Sequence, residues 1–133
     1  MKELVVLAVM DNLNQVTEFV GDELDATGCD PALQMQILIA VEEIFVNIAH
    51  YAYSPETGGA VIRVVVGDEI SIEFEDEGKP YNPLEKADPD ITARPEDRMI
   101  GGLGIFMVKK IMDAVEYRYE NGKNTLLIKK AII

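Results

Sequence analysis

The spacing of apolar positions changes several times along the chain, and each change predicts an element. Residues 3–9 (ELVVLAV) are a short valine-rich run, as in a buried strand. From Leu13 the period lengthens. Leu13, Val16, Phe19, Val20 and Leu24 share one helical face, which predicts a helix over about 13–26. Asp11 or Asn12 is placed to cap it and Gly28 to end it. Asp30-Pro31 predicts a second start, with a capping carboxylate before proline at the first helical position. The stripe of Leu33, Ile37, Leu38, Val41, Ile44, Phe45 and Ile48 carries that helix to about Tyr53. A loop follows from Ser54-Pro55 to Gly58-Gly59. Residues 61–66 and 70–74 then predict a hairpin around Gly67-Asp68.

Residues 79–101 break the pattern. Four of the six prolines fall there (Pro80, Pro83, Pro89 and Pro95), among charges and few large apolar residues. A loop of that length inside a compact domain is usually functional or mobile. The glycine-rich turn Gly101-Gly102-Leu103-Gly104 opens a helix over about 103–112, and strands near 114–120 and 124–130 close the chain around Asn121-Gly122. The order β-α-α-β-β-loop-α-β-β predicts a two-layer α/β (α+β) sandwich. Its sheet is mixed and mostly antiparallel, with the helices on one face.

Composition narrows the classes of function. The chain has 133 residues, the size of one domain, and 48% of them are hydrophobic, too many for a disordered chain. The net charge of −12 is uneven: residues 1–60 hold ten acids and the single base Lys2, while 61–133 hold fourteen acids and eleven bases. That balance offers no basic stripe for a nucleic-acid backbone and no polybasic segment for an anionic membrane. The longest uninterrupted apolar stretches fall far short of a membrane span. Cys29 is the only cysteine, which excludes an internal disulfide, and the N-terminus lacks the pattern of a secretion signal; the expected location is cytoplasmic. His50 is the only histidine, which argues against a metal cluster and against a separate phosphoacceptor histidine.

Three short segments carry candidate chemistry. Glu43 and Asn47, four residues apart, share the border of the apolar face of the second helix. A carboxylate there can deprotonate a nucleophile, and an amide oxygen can complete the shell of a phosphate-bridging Mg²⁺. A solvated helix border contains such a pair equally well. Asp76-Glu77-Gly78 ends a strand, where a carboxylate can accept from an adenine amino group and glycine lets a flat base approach. An ordinary acidic turn has the same composition. Gly102 and Gly104 at a helix start expose backbone N–H groups that favour anions, although a hinge before a core helix would also contain them. Neither a Walker motif nor a Rossmann fingerprint is present.

In combination the three segments are more specific. Their order resembles the N, G1 and G2 boxes of the GHKL ATPase superfamily, which has the Bergerat ATP-binding fold. Residues 41–53 (VEEIFVNIAHYAY) look like the long N-box helix of bacterial anti-sigma factor serine/threonine kinases. DEGKPYNP (76–83) resembles their G1 segment, and residues 101–113 their G2 helix. The resemblance covers about residues 30–130. It implies that Glu43 is the catalytic base and that Asn47 ligates Mg²⁺. It further implies that Asp76 reads adenine, with Gly78 making room for the base. Gly102, Leu103 and Gly104 would form the phosphate-binding helix start, Thr125 would support the adenine pocket, and residues 79–101 would form the ATP lid. The methionines suit a core, with Met99 and Met107 close enough to the G2 box to touch nucleotide. Two positions depart from the pattern: Asn124 stands where glycine often precedes the threonine, and Pro80 replaces a second G1 glycine.

The implied cofactors are ATP and Mg²⁺. The implied activity is phosphoryl transfer to an anti-sigma-factor antagonist of the STAS type by a protein that also holds a sigma factor. The resemblance also suggests a homodimer. Two other functions use the same boxes: a non-catalytic ATP-dependent binding switch, and the detached catalytic domain of a two-component histidine kinase. Seven of the ten acids in residues 1–60 precede Pro31, away from these boxes, and they offer either a solvated face or a docking surface for a basic partner.

Overall fold

The computed structural model describes residues 1–85 and 102–132. Strand β1 (Lys2–Leu7) leads through a 3-10 turn into helix α1 (Leu13–Thr27), and helix α2 (Pro31–Tyr51) follows. Strands β2 (Gly59–Val66) and β3 (Glu69–Asp76) form the first hairpin. Beyond the segment that includes 86–101, which lies outside the described residues, helix α3 (Gly102–Ile111) leads to strands β4 (Ala114–Glu120) and β5 (Lys123–Ala131).

The five strands pair in the order β1-β2-β3-β5-β4. All four pairings are antiparallel, so the sheet is wholly antiparallel rather than mixed. The β4–β5 turn is set by Asn121 (φ 55°) and Gly122 (φ 77°), two successive positive φ values that give a tight hairpin compatible with strand twist. Gly28 ends α1 at φ 72°, a left-handed cap that a side chain would strain.

Strand alternation divides the sheet into a dry face and a wet one. Ile62, Val64, Ile70, Ile72, Phe74 and Ile128 point to the helices and are at most 1% exposed. Val16, Val20 and Leu24 of α1, Ile37, Val41, Ile44 and Phe45 of α2, and Val108 of α3 complete the core. The other face carries ion pairs. Arg63 reaches Glu3 at 2.8 Å, Glu75 at 3.3 Å and Glu73 at 3.4 Å, while Arg118 meets Glu73 at 3.0 Å. Arg63 lies among three carboxylates, and its bonds to Glu75 and Glu3 raise its pKa further still.

Two helix starts differ from expectation. Asp30 makes no side-chain cap bond; its backbone carbonyl instead accepts from Gln34 N at 2.9 Å. Asn12 also caps nothing, because its Nδ2 donates back to Leu7 O at 2.9 Å. The first strand stops at Leu7, two residues early, where the chain turns into the 3-10 segment.

Over its most apolar 18-residue stretch α2 has mean hydropathy 1.5, so by length and composition it could cross a membrane, which the shorter apolar runs in the sequence do not suggest. Here its apolar stripe faces the sheet, with Ile37, Val41 and Phe45 fully buried. Truncating Phe45 to alanine removes the largest of these side chains from a packed core. Urea unfolding of Phe45→Ala should show a loss of about 3–5 kcal/mol without a change in the denaturant slope.

Candidate nucleotide-binding site

The sequence folds so that one cleft opens between the C-terminal half of α2, the ends of β3 and β5, and the start of α3. The space in and before it, open solvent included, is about 490 Å³. Ile44, Ile48, Phe74, Ile105 and Leu126 supply apolar walls; Asn47, Asp76, Lys79 and Asn124 supply polar groups. A mostly apolar cleft with a few convergent polar groups suits a small-molecule ligand.

Asp76 is the buried charge of this site, 6% exposed at the end of β3. Burial pushes its carboxyl pKa up, and hydrogen bonds from Gly78 N and Asn124 Nδ2 pull partly the other way. Both donors use the same oxygen, Oδ1, at 2.8 and 3.0 Å. Oδ2 accepts no hydrogen bond among the described residues. A buried carboxylate oxygen facing a cleft without a donor is suited to a ligand N–H. The purine amino group of ATP is such a donor, so Asp76 fits the nucleotide.

A Cβ at Gly78 would overlap the carbonyl of Ala52, so glycine is needed there for the close approach of these two backbones. Lys79 N donates to that same carbonyl at 2.8 Å. The bond ties the residue that follows α2 to the backbone after β3; α2 itself ends at Tyr51, two residues before the expected Tyr53. Tyr53 then serves as a strut, its hydroxyl donating to Gly59 O and accepting from Glu77 N, both at 2.7 Å.

Asn47 lines the cleft, and Glu43 lies one turn earlier on α2, half-buried. Glu43 meets α3: its Oε2 occupies the place where a Cβ of residue 104 would stand, so Gly104 is what admits the carboxylate. Gly102 begins α3 and Leu103 follows it. The positive end of the α3 dipole therefore lies close to Glu43 and to the cleft wall at Ile105. Among the described residues no group of three His, Cys, Asp or Glu side chains is placed to hold a metal. Asn47 offers one neutral oxygen, which fits a Mg²⁺ carried mainly by phosphates and water.

Thr125 is not part of the cleft. Its neighbours Asn124 and Leu126 both line it. Alternation along β5 turns the buried Thr125 to the opposite face, in register with Glu75 and Arg118. Met107 is likewise absent from the cleft wall, where α3 contributes Ile105. Most of the expected lid, including Met99 and Gly101, lies outside the described residues; residues 79–85 belong to the cleft margin. Sequence reasoning misses Tyr51, Tyr81 and Tyr117 as cleft residues and treats Asn124 only as a departure. The alternation Asn124–Leu126 is the signal that finds Asn124, once β5 is known to pair with β3.

The matching family is the histidine kinase-like ATPase domain, whose model fits residues 6–130. The chain belongs to that family. Among relatives, it is 34% identical over 109 residues to the anti-sigma F factor of Clostridium acetobutylicum, covering 79% of this chain and 76% of that protein. It is 24% identical over 98 residues to the serine/threonine-protein kinase BtrW of Bordetella bronchiseptica, covering 72% of this chain and 69% of that one. A solved structure of the RsbU and RsbW domains of a Mycobacterium tuberculosis protein superposes with a TM-score of 0.69 at 14% identity. It covers 99% of this chain and 33% of the other, a likeness of fold.

The buried charge of Asp76 has a measurable effect on stability. Its folded pKa is raised above the ordinary carboxylate value, so the native state binds a proton more tightly than the unfolded chain. Stability attributable to this group therefore falls as pH rises from the unfolded pKa through the folded one. Asp76→Asn keeps an oxygen for Gly78 N and Asn124 and removes the charge. It should melt no lower than the parent at pH 7, and its advantage should shrink as pH falls towards the ordinary carboxylate range. Gly78→Ala should lose about 1–3 kcal/mol in chemical denaturation, because backbone rather than a flexible side chain must give way.

Proposed function

We propose that the chain is a Mg·ATP-binding anti-sigma regulatory factor that phosphorylates a serine or threonine of an anti-sigma-factor antagonist. The observation that carries this is the Oδ2 of buried Asp76, without a donor among the described residues. Asp76 lines a cleft that Asn47 also lines, and Glu43, one turn before Asn47 on α2, meets Gly104 of α3. Relatives named anti-sigma F factor and serine/threonine-protein kinase support a link to a sigma factor and a serine or threonine as acceptor.

In this reading Asp76 accepts from the adenine amino group, and the apolar walls hold the base. Asn47 would contribute an oxygen to Mg²⁺, whose charge offsets that of the phosphates. Backbone N–H groups at Gly102, Leu103 and Gly104 face phosphate oxygens, doing without lysine what a strongly acidic chain cannot readily do with it. Glu43 orients the acceptor hydroxyl and takes its proton. The hydroxyl oxygen bonds to the γ-phosphorus, the β–γ bridging bond breaks, and ADP leaves. Positioning and charge neutralisation supply most of the rate.

Calorimetry with Mg·ATP tests the nucleotide site: Asp76→Asn should bind at least about tenfold more weakly, and equal affinity, or none in the parent, defeats the assignment. A radiolabel transfer assay with the antagonist tests the chemistry. Glu43→Ala should bind ATP normally and transfer at least about a hundredfold more slowly. Equal transfer would remove Glu43 from its role, and no transfer by the parent would leave an ATP-dependent binding switch.

A further inference from the structure

Asn124 is 7% exposed, and both polar atoms of its carboxamide are engaged. Nδ2 donates to Lys79 O at 2.9 Å, to Asp76 Oδ1 at 3.0 Å and, more weakly, to Gly78 O at 3.3 Å. Oδ1 accepts from Tyr81 N at 3.1 Å and from the Tyr117 hydroxyl. The orientation of the carboxamide follows from chemistry. Turned over, it would set its oxygen against a carboxylate and two carbonyls, and its amino group against a backbone N–H.

These bonds tie β5 to the end of β3, to the 78–81 backbone that follows it, and to Tyr117 of β4. They also decide which way Asp76 faces. With Oδ1 held by Asn124 and by Gly78 N, rotation of the carboxylate would break two hydrogen bonds at once, so Oδ2 stays directed away from them. Oδ2 is then the acceptor left for a ligand.

We infer that Asn124 is a positioning residue for base selection: it locks the Asp76 carboxylate so that a purine bearing a 6-amino donor is accepted and one bearing a 6-oxo acceptor is refused. The inference rests on the nucleotide reading above. A 6-amino group donates to Oδ2; a 6-oxo group brings oxygen against oxygen. The same carboxamide holds Lys79 and Tyr81, so the base pocket and the root of the 79–101 segment share one anchor. Without the lock, the carboxylate turns more freely and the two purines become less distinct.

The test measures binding of ATP and ITP, with Mg²⁺, to the parent chain and to Asn124→Ala, with circular dichroism and melting to verify the fold. The parent should prefer ATP. In Asn124→Ala, ATP should weaken by about tenfold and ITP by much less, so the ATP/ITP ratio falls. A purely structural role would weaken both nucleotides together, and that result overturns the inference, as does an unchanged ratio. A parent that binds neither nucleotide overturns the nucleotide reading itself and the inference with it; a parent that binds ATP with a variant of unchanged ratio overturns the inference alone. If Asn124→Ala does not fold, Asn124→Ser, too short to span these partners, takes its place: a lower ATP/ITP ratio supports the lock and an unchanged one overturns it.

Discussion

The hydrogen bond between Asn124 and Asp76 crosses the β3–β5 seam, and the cleft is assembled around it. A carboxylate removed from water must be given donors or become costly. Here two donors meet on one oxygen, one from a neighbouring backbone amide and one from a strand forty-eight residues away. The second requires β5 to pair with β3 in one register, Asn124 opposite Asp76. A slip of one residue would turn Thr125 to the dry face and Asn124 to the wet one. The strongly apolar Leu126 and Ile128 on the same face of β5 resist that slip, so core packing protects the polar contact.

Around this seam the helices are brought in by absence of side chains. Gly78 lets the backbone after β3 lie against the carbonyl of Ala52, just past α2, and Gly104 lets α3 come up against Glu43. The first approach is backbone against backbone, which is stiff; the second sets the α3 backbone against the end of the Glu43 side chain. Tyr53 adds a third tie between α2, β2 and the end of β3. The side of α2 that carries Asn47 is thus held against β3 and α3, while the strip of residues on its far side stays in solvent.

Much of this was legible from local signals. Helix and strand spans, the Gly28 cap and the Asn121-Gly122 turn follow from apolar period and backbone freedom, which neighbours in sequence decide. The cap bonds of Asp30 and Asn12 were not legible, because several acceptors compete for a side chain and only folded geometry chooses among them. Thr125 shows the same limit. Its place in a motif suggested the cleft, yet a strand turns alternate residues to opposite faces, and the register assigns the cleft to Asn124.

The sequence by itself determined which segments are helix and which are strand, which face of each is apolar, and which residues are candidates for chemistry: Glu43, Asn47, Asp76 and the glycines of 101–104. Those properties depend on period, backbone freedom and functional group, all local. Tertiary structure alone decided that Asp76 would be buried with one oxygen that accepts nothing among the described residues, that Gly78 would pack against the carbonyl of Ala52, and that Asn124 would tie β5 to Asp76 and the 78–81 backbone. Those outcomes depend on pairings between residues distant in the chain, where a register of one residue changes every partner.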